Sequence, residues 1–284
     1  MSKIIQRLLI FFVGIPVVIC FIIPRFLNHL PLQFLITIFS FMSAWELHDM
    51  LAAKNRTFFK PLIIFLSVLL PVISYLCGLF KISFDIVGIA FTIECLVIFA
   101  VEAFTTKDFS ESNIKIANGI FTIAYSGLLP TFISRLTVFD HSIQIICLFV
   151  ILVFISDSAA WLIGMLFGKN NRGIIAVSPN KSVAGFIGAY LGTILFAILS
   201  KYVFFKDLLG QCSFVKLIIL AVVVTTASII GDLAESVFKR SCGFKDSGNV
   251  ILGRGGALDS IDSMFAAAPA GNPYPVPSLR RRKE

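Results

Sequence analysis

Residues 231–262 read GDLAESVFKRSCGFKDSGNVILGRGGALDSID and directly follow an apolar run, Val215–Ile230. Acids and bases alternate through this stretch: the acids are Asp232, Glu235, Asp246, Asp259 and Asp262, and the bases are Lys239, Arg240, Lys245 and Arg254. Carboxylate oxygens can hold a hard cation, and basic side chains can hold phosphate oxygens. The pattern therefore predicts a metal and phosphate site at the end of a membrane helix. The alternative is a solvated loop whose bases only set the membrane topology.

The composition of the whole chain indicates a polytopic membrane protein. Of its 284 residues, 57% are hydrophobic and 14% charged, and the mean hydropathy is +0.94, values outside the range of soluble domains. The net charge of +8 comes from bases in short loops between apolar runs, which fits membrane topology better than a nucleic-acid-binding face. No cysteine lies in a CxxC pair and the histidines are far apart, so neither a disulfide framework nor a histidine metal centre is predicted.

Apolar runs of about 20 residues are long enough to span a bilayer. The sequence predicts an all-α, polytopic helical membrane protein with eight spans: Leu8–Ile23, Leu30–Leu47, Pro61–Phe80, Phe84–Phe104, Ile116–Ile133, Ile143–Phe167, Val183–Phe205 and Val215–Phe238. We divide the chain into N-terminal transmembrane helices (1–142), a C-terminal transmembrane catalytic region (143–262) and a disordered basic tail (263–284). Prolines at 269, 273, 275 and 277 oppose a helix in this tail.

The loop charges predict the orientation in the membrane. Most loop lysines and arginines fall in segments that face the cytoplasm if the N-terminus is cytoplasmic. Both polar loops of interest, 168–182 and 239–262, then also face the cytoplasm, where nucleotides are. We expect an integral protein of the bacterial inner membrane, with the basic tail near anionic lipid.

Individual polar residues mark a candidate site. Asp157 lies within an apolar run, where a carboxylate is costly unless it has a partner, and with Asp232 it could hold a divalent ion between two helices. Lys181 and Ser182 precede the next helix and could hold phosphate at its N-terminus, although a simple helix cap explains them equally well.

The polar stretch carries further spacing signals. On a helix, Asp232, Glu235 and Lys239 share one face, and Asp259 and Asp262 would do so as well. The glycines Gly255 and Gly256 would let the backbone approach a ligand closely.

The spacing in the stretch resembles the C-terminal motif of phosphatidate cytidylyltransferases, the CDP-diacylglycerol synthases. The resemblance rests on Ser236-Val-Phe-Lys239-Arg240, Lys245-Asp246-Ser247-Gly248, Gly255-Gly256 and Asp259-x-x-Asp262. Asp157 with Ser158-Ala-Ala-Trp161 and Ser178-Pro179-Asn-Lys181-Ser182 is similar to an upstream motif of the same family. The first five spans are only generically consistent with it.

The resemblance implies an activity and residue roles. The activity is cytidylyl transfer from CTP to phosphatidic acid in phospholipid biosynthesis, giving CDP-diacylglycerol and pyrophosphate. The implied cofactor is Mg²⁺, the partners are the two substrates and the lipid bilayer, and no nucleic acid is expected. A homodimer stays open. The implied catalytic residues are Asp232, Lys239, Arg240 and Asp259; the substrate-binding residues are Lys181, Ser182, Ser236, Lys245, Gly255 and Gly256; the metal ligands are Asp157, Asp232, Asp246, Asp259 and Asp262.

The chain departs from the family pattern at several positions. Leu252, Gly253 and Arg254 stand where the family has proline, any residue and histidine; Ser260 replaces an arginine; and Ala184 replaces a glutamate. The proline-rich tail stands where a last apolar helix normally follows. These departures make a family member with impaired catalysis one alternative. A CTP-dependent lipid-alcohol kinase, since related membrane enzymes use CTP, and an ion-coupled transporter with intramembrane acids as its ion path are the others.

Overall fold

The computed structural model describes residues 14–203, 205–210, 212–251 and 255–271. These residues are mainly helical, and no β-strand occurs among them, which confirms the all-α class. The α-helices are α1 (Ile15–Ile22), α2 (Phe26–Ala52), α3 (Lys60–Leu79), α4 (Asp85–Thr105), α5 (Ser112–Ile123), α6 (Leu129–Arg135), α7 (Ser142–Phe167), α8 (Val183–Tyr202), α9 (Lys206–Leu209), α10 (Phe214–Ser241) and α11 (Leu258–Ala267). A π-helical turn, Ala124–Leu128, joins α5 to α6.

Seven helical segments of the described chain are long and apolar enough to cross a membrane. They coincide with the last seven predicted spans. The first predicted span, Leu8–Ile23, begins outside the described residues, and its described part forms α1. In α2, residues 27–29 have positive φ angles of 46° to 57°, so the regular right-handed helix begins only after them.

The described chain divides into two compact units. Unit 1 comprises residues up to Thr137 together with Ser241–Ile261, and unit 2 comprises Val138–Arg240 together with the residues from Asp262 onward. This division differs from the three-part division that the sequence suggested, because the 241–261 segment groups with the N-terminal helices.

Buried hydroxyl and amide groups join the helices of unit 1. The Ser43 hydroxyl lies 2.8 Å from the Ser126 hydroxyl, and Ser134 donates to the Gln33 side-chain oxygen at 2.7 Å. Ser40 donates to the Ser67 carbonyl oxygen at 3.1 Å. Such bonds hold membrane helices together, since lipid offers these groups no partners.

In unit 2, small residues bring α7 and α8 into close contact. A side chain at Gly188 would begin 2.5 Å from Cβ of Ile163, and one at Gly192 would begin 2.5 Å from Cβ of Ala159. The two helices can therefore approach only because these positions lack a side chain. The result is a tight antiparallel pair that fixes the loop between them, residues 168–182.

The stretch after α10 differs from the expectation for the chain end. Residues 263–267 belong to α11, whereas the sequence analysis placed them in the disordered tail. The reason is that the first proline, Pro269, comes only after Ala267, so it limits the end of the helix without preventing it. The rest of the predicted tail, residues 272–284, lies outside the described residues.

Candidate active site

The cytoplasmic-side end of α10, as the sequence predicts it, carries a polar face. The helix continues beyond its apolar run, and Asp232, Glu235 and Lys239 follow one another at spacings of three and four residues. Glu235 is 2% exposed, and its Oε2 lies 2.6 Å from Nζ of Lys239. Ser236 is half-buried and Arg240 is exposed on the same helix. Burying a glutamate is costly, and the lysine one turn later offsets that cost.

The 168–182 loop places a second lysine against this face. Ser182 caps α8, since its hydroxyl accepts a hydrogen bond from the Gly185 N–H at 3.0 Å. Gly164 and Gly168 leave room for that hydroxyl. Lys181 lies directly before the cap, and its Nζ is 2.6 Å from Oδ2 of Asp232. The prediction for Ser182 left two roles open, and the geometry favours the helix cap.

A third carboxylate reaches the cluster from α11. Single oxygen atoms of Asp232, Glu235 and Asp262 lie within 4.8 Å of one another. The close approach depends on Gly231, where a side chain would begin 2.3 Å from Cβ of Ala266 and 2.9 Å from the Asp262 carbonyl oxygen. We call Asp232, Glu235 and Asp262 the carboxylate cluster.

The environment of Asp262 is unfavourable for a negative charge. Burial raises its pKa well above the ordinary range, and the neighbouring carboxylates of Asp232 and Asp157 raise it further. The Ser263 N–H and Lys239 act in the opposite direction without offsetting them. A cation in the cluster would remove this penalty. The predicted ligand Asp157, on α7, thus acts electrostatically on the cluster.

The remaining predicted residues lie in unit 1, on the segment 245–259. Oδ2 of Asp259 accepts hydrogen bonds from the Ser247 N–H and the Gly256 N–H, each at 2.8 Å, and it lies 3.0 Å from the Ser247 hydroxyl. Gly255 has φ of +103°, and a side chain there would begin 2.5 Å from Oδ2 of Asp259. Lys245 and Asp246 are exposed.

A carboxylate from α2 completes the arrangement of this segment. Glu46, 6% exposed, accepts hydrogen bonds from the Ala257 N–H at 2.8 Å, the Leu258 N–H at 2.9 Å and the Ser247 hydroxyl at 2.8 Å. The space where Gly256 lacks a side chain is filled by Glu46 and Ser247. The glycine is thus required by protein groups, and a close ligand approach at this position stays a prediction.

Sequence reasoning did not select Glu235 or Glu46 as site residues. Glu235 was named among the acids of the polar stretch and as a helix-face neighbour of Asp232, but not as a metal ligand. Glu46 lies in the second predicted span, where an acid within an apolar run is itself a signal of function or pairing. The departures at Leu252, Gly253 and Arg254 lie outside the described residues.

Comparison with known proteins gives a consistent result. A family model described as the cytidylyltransferase family matches residues 5–274. Proteins named phosphatidate cytidylyltransferase are similar over shorter stretches: 40% identity over 129 residues in Haemophilus influenzae, 39% over 115 residues in Thermotoga maritima and 37% over 127 residues in Helicobacter pylori. These stretches cover 45%, 40% and 45% of this chain and 44%, 42% and 45% of the relatives, so the chain spans less than half the length of each.

Proposed function

Since this chain belongs to the cytidylyltransferase family, we propose that it transfers the cytidylyl group of CTP to phosphatidic acid, giving CDP-diacylglycerol and pyrophosphate in phospholipid biosynthesis. The observation that carries the proposal is the carboxylate cluster with Lys181 bound to Asp232 and Lys239 bound to Glu235. Acids and bases in alternation suit a reaction between phosphate groups, in which a cation and lysines balance negative charge. The names of the relatives support phosphatidic acid as the acceptor.

The carboxylate cluster fits a divalent cation. Oxygen ligands of an octahedral Mg²⁺ at about 2.1 Å lie roughly 3–4 Å apart, so oxygens within 4.8 Å of one another need only small movements to bind it. We propose Mg²⁺ held by Asp232 and Asp262, with Glu235 as a third ligand and Asp157 beside them. When bound, the cation would neutralise charge on the triphosphate. Asp246 and Asp259 are proposed ligands on the strength of the resemblance alone.

The proposed reaction needs no covalent intermediate with the protein. A phosphate oxygen of phosphatidic acid forms a bond to the α-phosphorus of CTP. The bond from that phosphorus to the bridging oxygen breaks, and its electron pair leaves with pyrophosphate. The lipid phosphate is already an anion near neutral pH, so a strong general base is unnecessary, and catalysis consists of positioning and charge balance.

The lysines of the site have a direct role in this scheme. Lys181 and Lys239 are each held by a carboxylate, and each can exchange that partner for phosphate oxygens when substrate arrives. Arg240 and Lys245, both exposed, are proposed as further phosphate contacts, together with Ser236. The backbone around Gly255 and Gly256 is proposed as substrate-binding because of the resemblance.

The membrane setting is also proposed. The seven apolar helices and the bacterial relatives support the inner membrane, and the distribution of loop bases supports a cytoplasmic active site. The bilayer would supply the lipid substrate laterally. A homodimer stays a prediction that cross-linking in membranes would check.

Labelled CTP tests the proposed reaction. Full-length protein in lipid–detergent micelles receives phosphatidic acid, Mg²⁺ and CTP labelled at either the α- or the γ-phosphorus. We expect α-label in the lipid product, γ-label in pyrophosphate, and neither product when Mg²⁺ or phosphatidic acid is omitted. If γ-label enters the lipid when a lipid alcohol is supplied, the chain is a kinase; if the folded protein transfers no label, the proposed function is rejected.

A further inference from the structure

Glu46 lies on α2, far in sequence from the segment 245–259, and makes three hydrogen bonds to it. Its Oε1 accepts from the Ala257 N–H, and its Oε2 accepts from the Leu258 N–H and the Ser247 hydroxyl. All three donors lie 2.8–2.9 Å away. A buried carboxylate that accepts two backbone N–H groups fixes the backbone there, because both groups would otherwise be unsatisfied.

The same carboxylate explains two glycines of the segment. A side chain at Gly256 would begin 2.2 Å from Oε2 of Glu46, and one at Gly248 would begin 2.8 Å from Oε1. Both positions pack directly against a group that its hydrogen bonds hold in place. Glu46 is therefore the nearest obstacle to a side chain at Gly248, and at Gly256 it shares that role with the Ser247 hydroxyl.

Ser247 links Glu46 to Asp259. Its hydroxyl lies 2.8 Å from Oε2 of Glu46 and 3.0 Å from Oδ2 of Asp259. A hydroxyl has one proton, so it donates to one carboxylate at a time. The Ser247 and Gly256 N–H groups bond to Asp259, and the Ala257 and Leu258 N–H groups bond to Glu46. The two carboxylates thus accept hydrogen bonds from four backbone N–H groups, two each.

We propose that Glu46 is a positioning residue for the reaction: it holds the described parts of this segment, residues 245–251 and 255–259 with Lys245, Asp246 and Asp259, in the arrangement that receives the phosphates of CTP. This role rests on the proposed function. Glu46 need not contact substrate; it acts by keeping the backbone of 247 and 256–258 fixed.

Replacing Glu46 by glutamine tests the role directly. The amide keeps the shape, but its NH₂ faces the Ala257 N–H in one orientation and the Leu258 N–H in the other, so one backbone hydrogen bond is lost in either case. CTP must then order the segment as it binds, and part of its binding free energy is used for that. We therefore expect the apparent KM for CTP to rise by about tenfold while kcat changes less than about threefold. A variant that merely folds less well would show a lower apparent kcat and an unchanged KM.

Hydrogen exchange of the full-length protein gives a second readout that needs no turnover. In Glu46→Gln, amides of residues 247–251 and 255–258 should exchange at least about tenfold faster. The matched control is Glu102→Gln, another buried glutamate of unit 1 that instead pairs with Lys115 and Ser112; it should leave the exchange of these amides unchanged. Unchanged exchange in Glu46→Gln, or equal effects of both substitutions, would overturn the proposal.

A double substitution covers the case in which glutamine disturbs folding. Gly248→Ala should speed exchange of these amides in the native background, because its methyl group meets Glu46. In a Glu46→Ala background the nearest remaining atom is the Gly256 Cα at 3.4 Å, an ordinary contact, so the methyl group should have no further effect. Additive effects would contradict the proposal. Because exchange requires no activity, these results decide on Glu46 even if the unaltered chain forms no CDP-diacylglycerol.

Discussion

Asp262 is a buried carboxyl group with other carboxylates as neighbours. Burial and the charges of Asp232 and Asp157 raise its pKa, so the folded chain keeps a proton that the unfolded chain releases at about pH 4. Between that pH and the raised pKa the folded state holds more protons, and the free energy of unfolding therefore falls as pH rises. Cation binding must displace this proton and should become tighter as pH rises.

This gives a pH prediction for the carboxylate cluster. Without divalent ions, the melting temperature in detergent should fall as pH rises from about 5 to about 8. Added Mg²⁺ should raise the melting temperature more at about pH 8 than at about pH 5. Asp262→Asn should flatten both dependences, because the titrating group is gone. An Asp262→Asn protein with the slope and Mg²⁺ response of the unaltered chain would contradict this account of Asp262.

Some residues of the cluster were predictable and others were not. Asp232 was selected because an acid at the end of an apolar run needs a partner, whereas Asp262 was selected from the Asp259-x-x-Asp262 spacing and the resemblance that this spacing carries. The contribution of Glu46 was not predictable from spacing, since it depends on a tertiary contact between positions some two hundred residues apart. The cap role of Ser182 was one of two open readings, and only the Gly185 N–H distance of 3.0 Å favours it.

At the scale of helices, the crossing of α10 and α11 determines the cluster. Gly231 is the contact point, where α11 lies so close that no side chain fits. The periodicity of apolar residues predicted the spanning helices within a few residues, because hydrophobic length directly reflects bilayer thickness. It did not predict that α11 continues beyond Asp262, because the prolines further along the chain indicated an irregular tail. A helix this short depends on tertiary packing for its stability, and the apolar periodicity does not report that packing.

Gly231→Ala is the corresponding prediction. The new methyl group would begin 2.3 Å from Cβ of Ala266, so the helices must separate, at a cost of about 1–3 kcal/mol in unfolding free energy. The separation should also weaken Mg²⁺ binding, because Asp262 moves away from Asp232.

The matched control is Gly88→Ala on α4, where nothing lies within 4 Å of the added methyl group. It should be neutral or stabilising by about 0.5–1 kcal/mol, the ordinary gain of alanine over glycine in a helix. Both variants are compared by thermal unfolding and Mg²⁺ titration. Equal effects of the two substitutions would show that the crossing does not need glycine.

At the scale of the whole molecule, the fold class followed from composition, whereas the grouping of helices did not. The segment 241–261 packs with the N-terminal unit, and the three bonds of Glu46 are one physical reason. The first spans, which resembled the family only generically, thus supply a buried carboxylate to the segment that carries the resemblance. No local pattern reports such a long-range grouping.

The orientation in the membrane can be tested with single cysteines in a chain whose native cysteines are replaced. Lys169→Cys, in the loop after α7, should react with an impermeant maleimide only after the cells are permeabilised. Lys81→Cys, directly after the α3 helix, should react in intact spheroplasts. The reverse pattern would invert the topology and place the lysines of the candidate site away from cytoplasmic CTP.

If the carboxylate cluster supports cytidylyl transfer, substitution of Asp232 must remove most of that activity. CDP-diacylglycerol formation is measured for Asp232→Asn and for Asp49→Asn, a half-exposed aspartate that pairs with Lys60 at 2.7 Å. We predict a loss of at least about 100-fold for Asp232→Asn, because a charged ligand is removed without a change of shape, and a change of less than about twofold for Asp49→Asn. Folded Asp232→Asn protein with more than about a third of the original rate would contradict the assignment of this cluster as the active site.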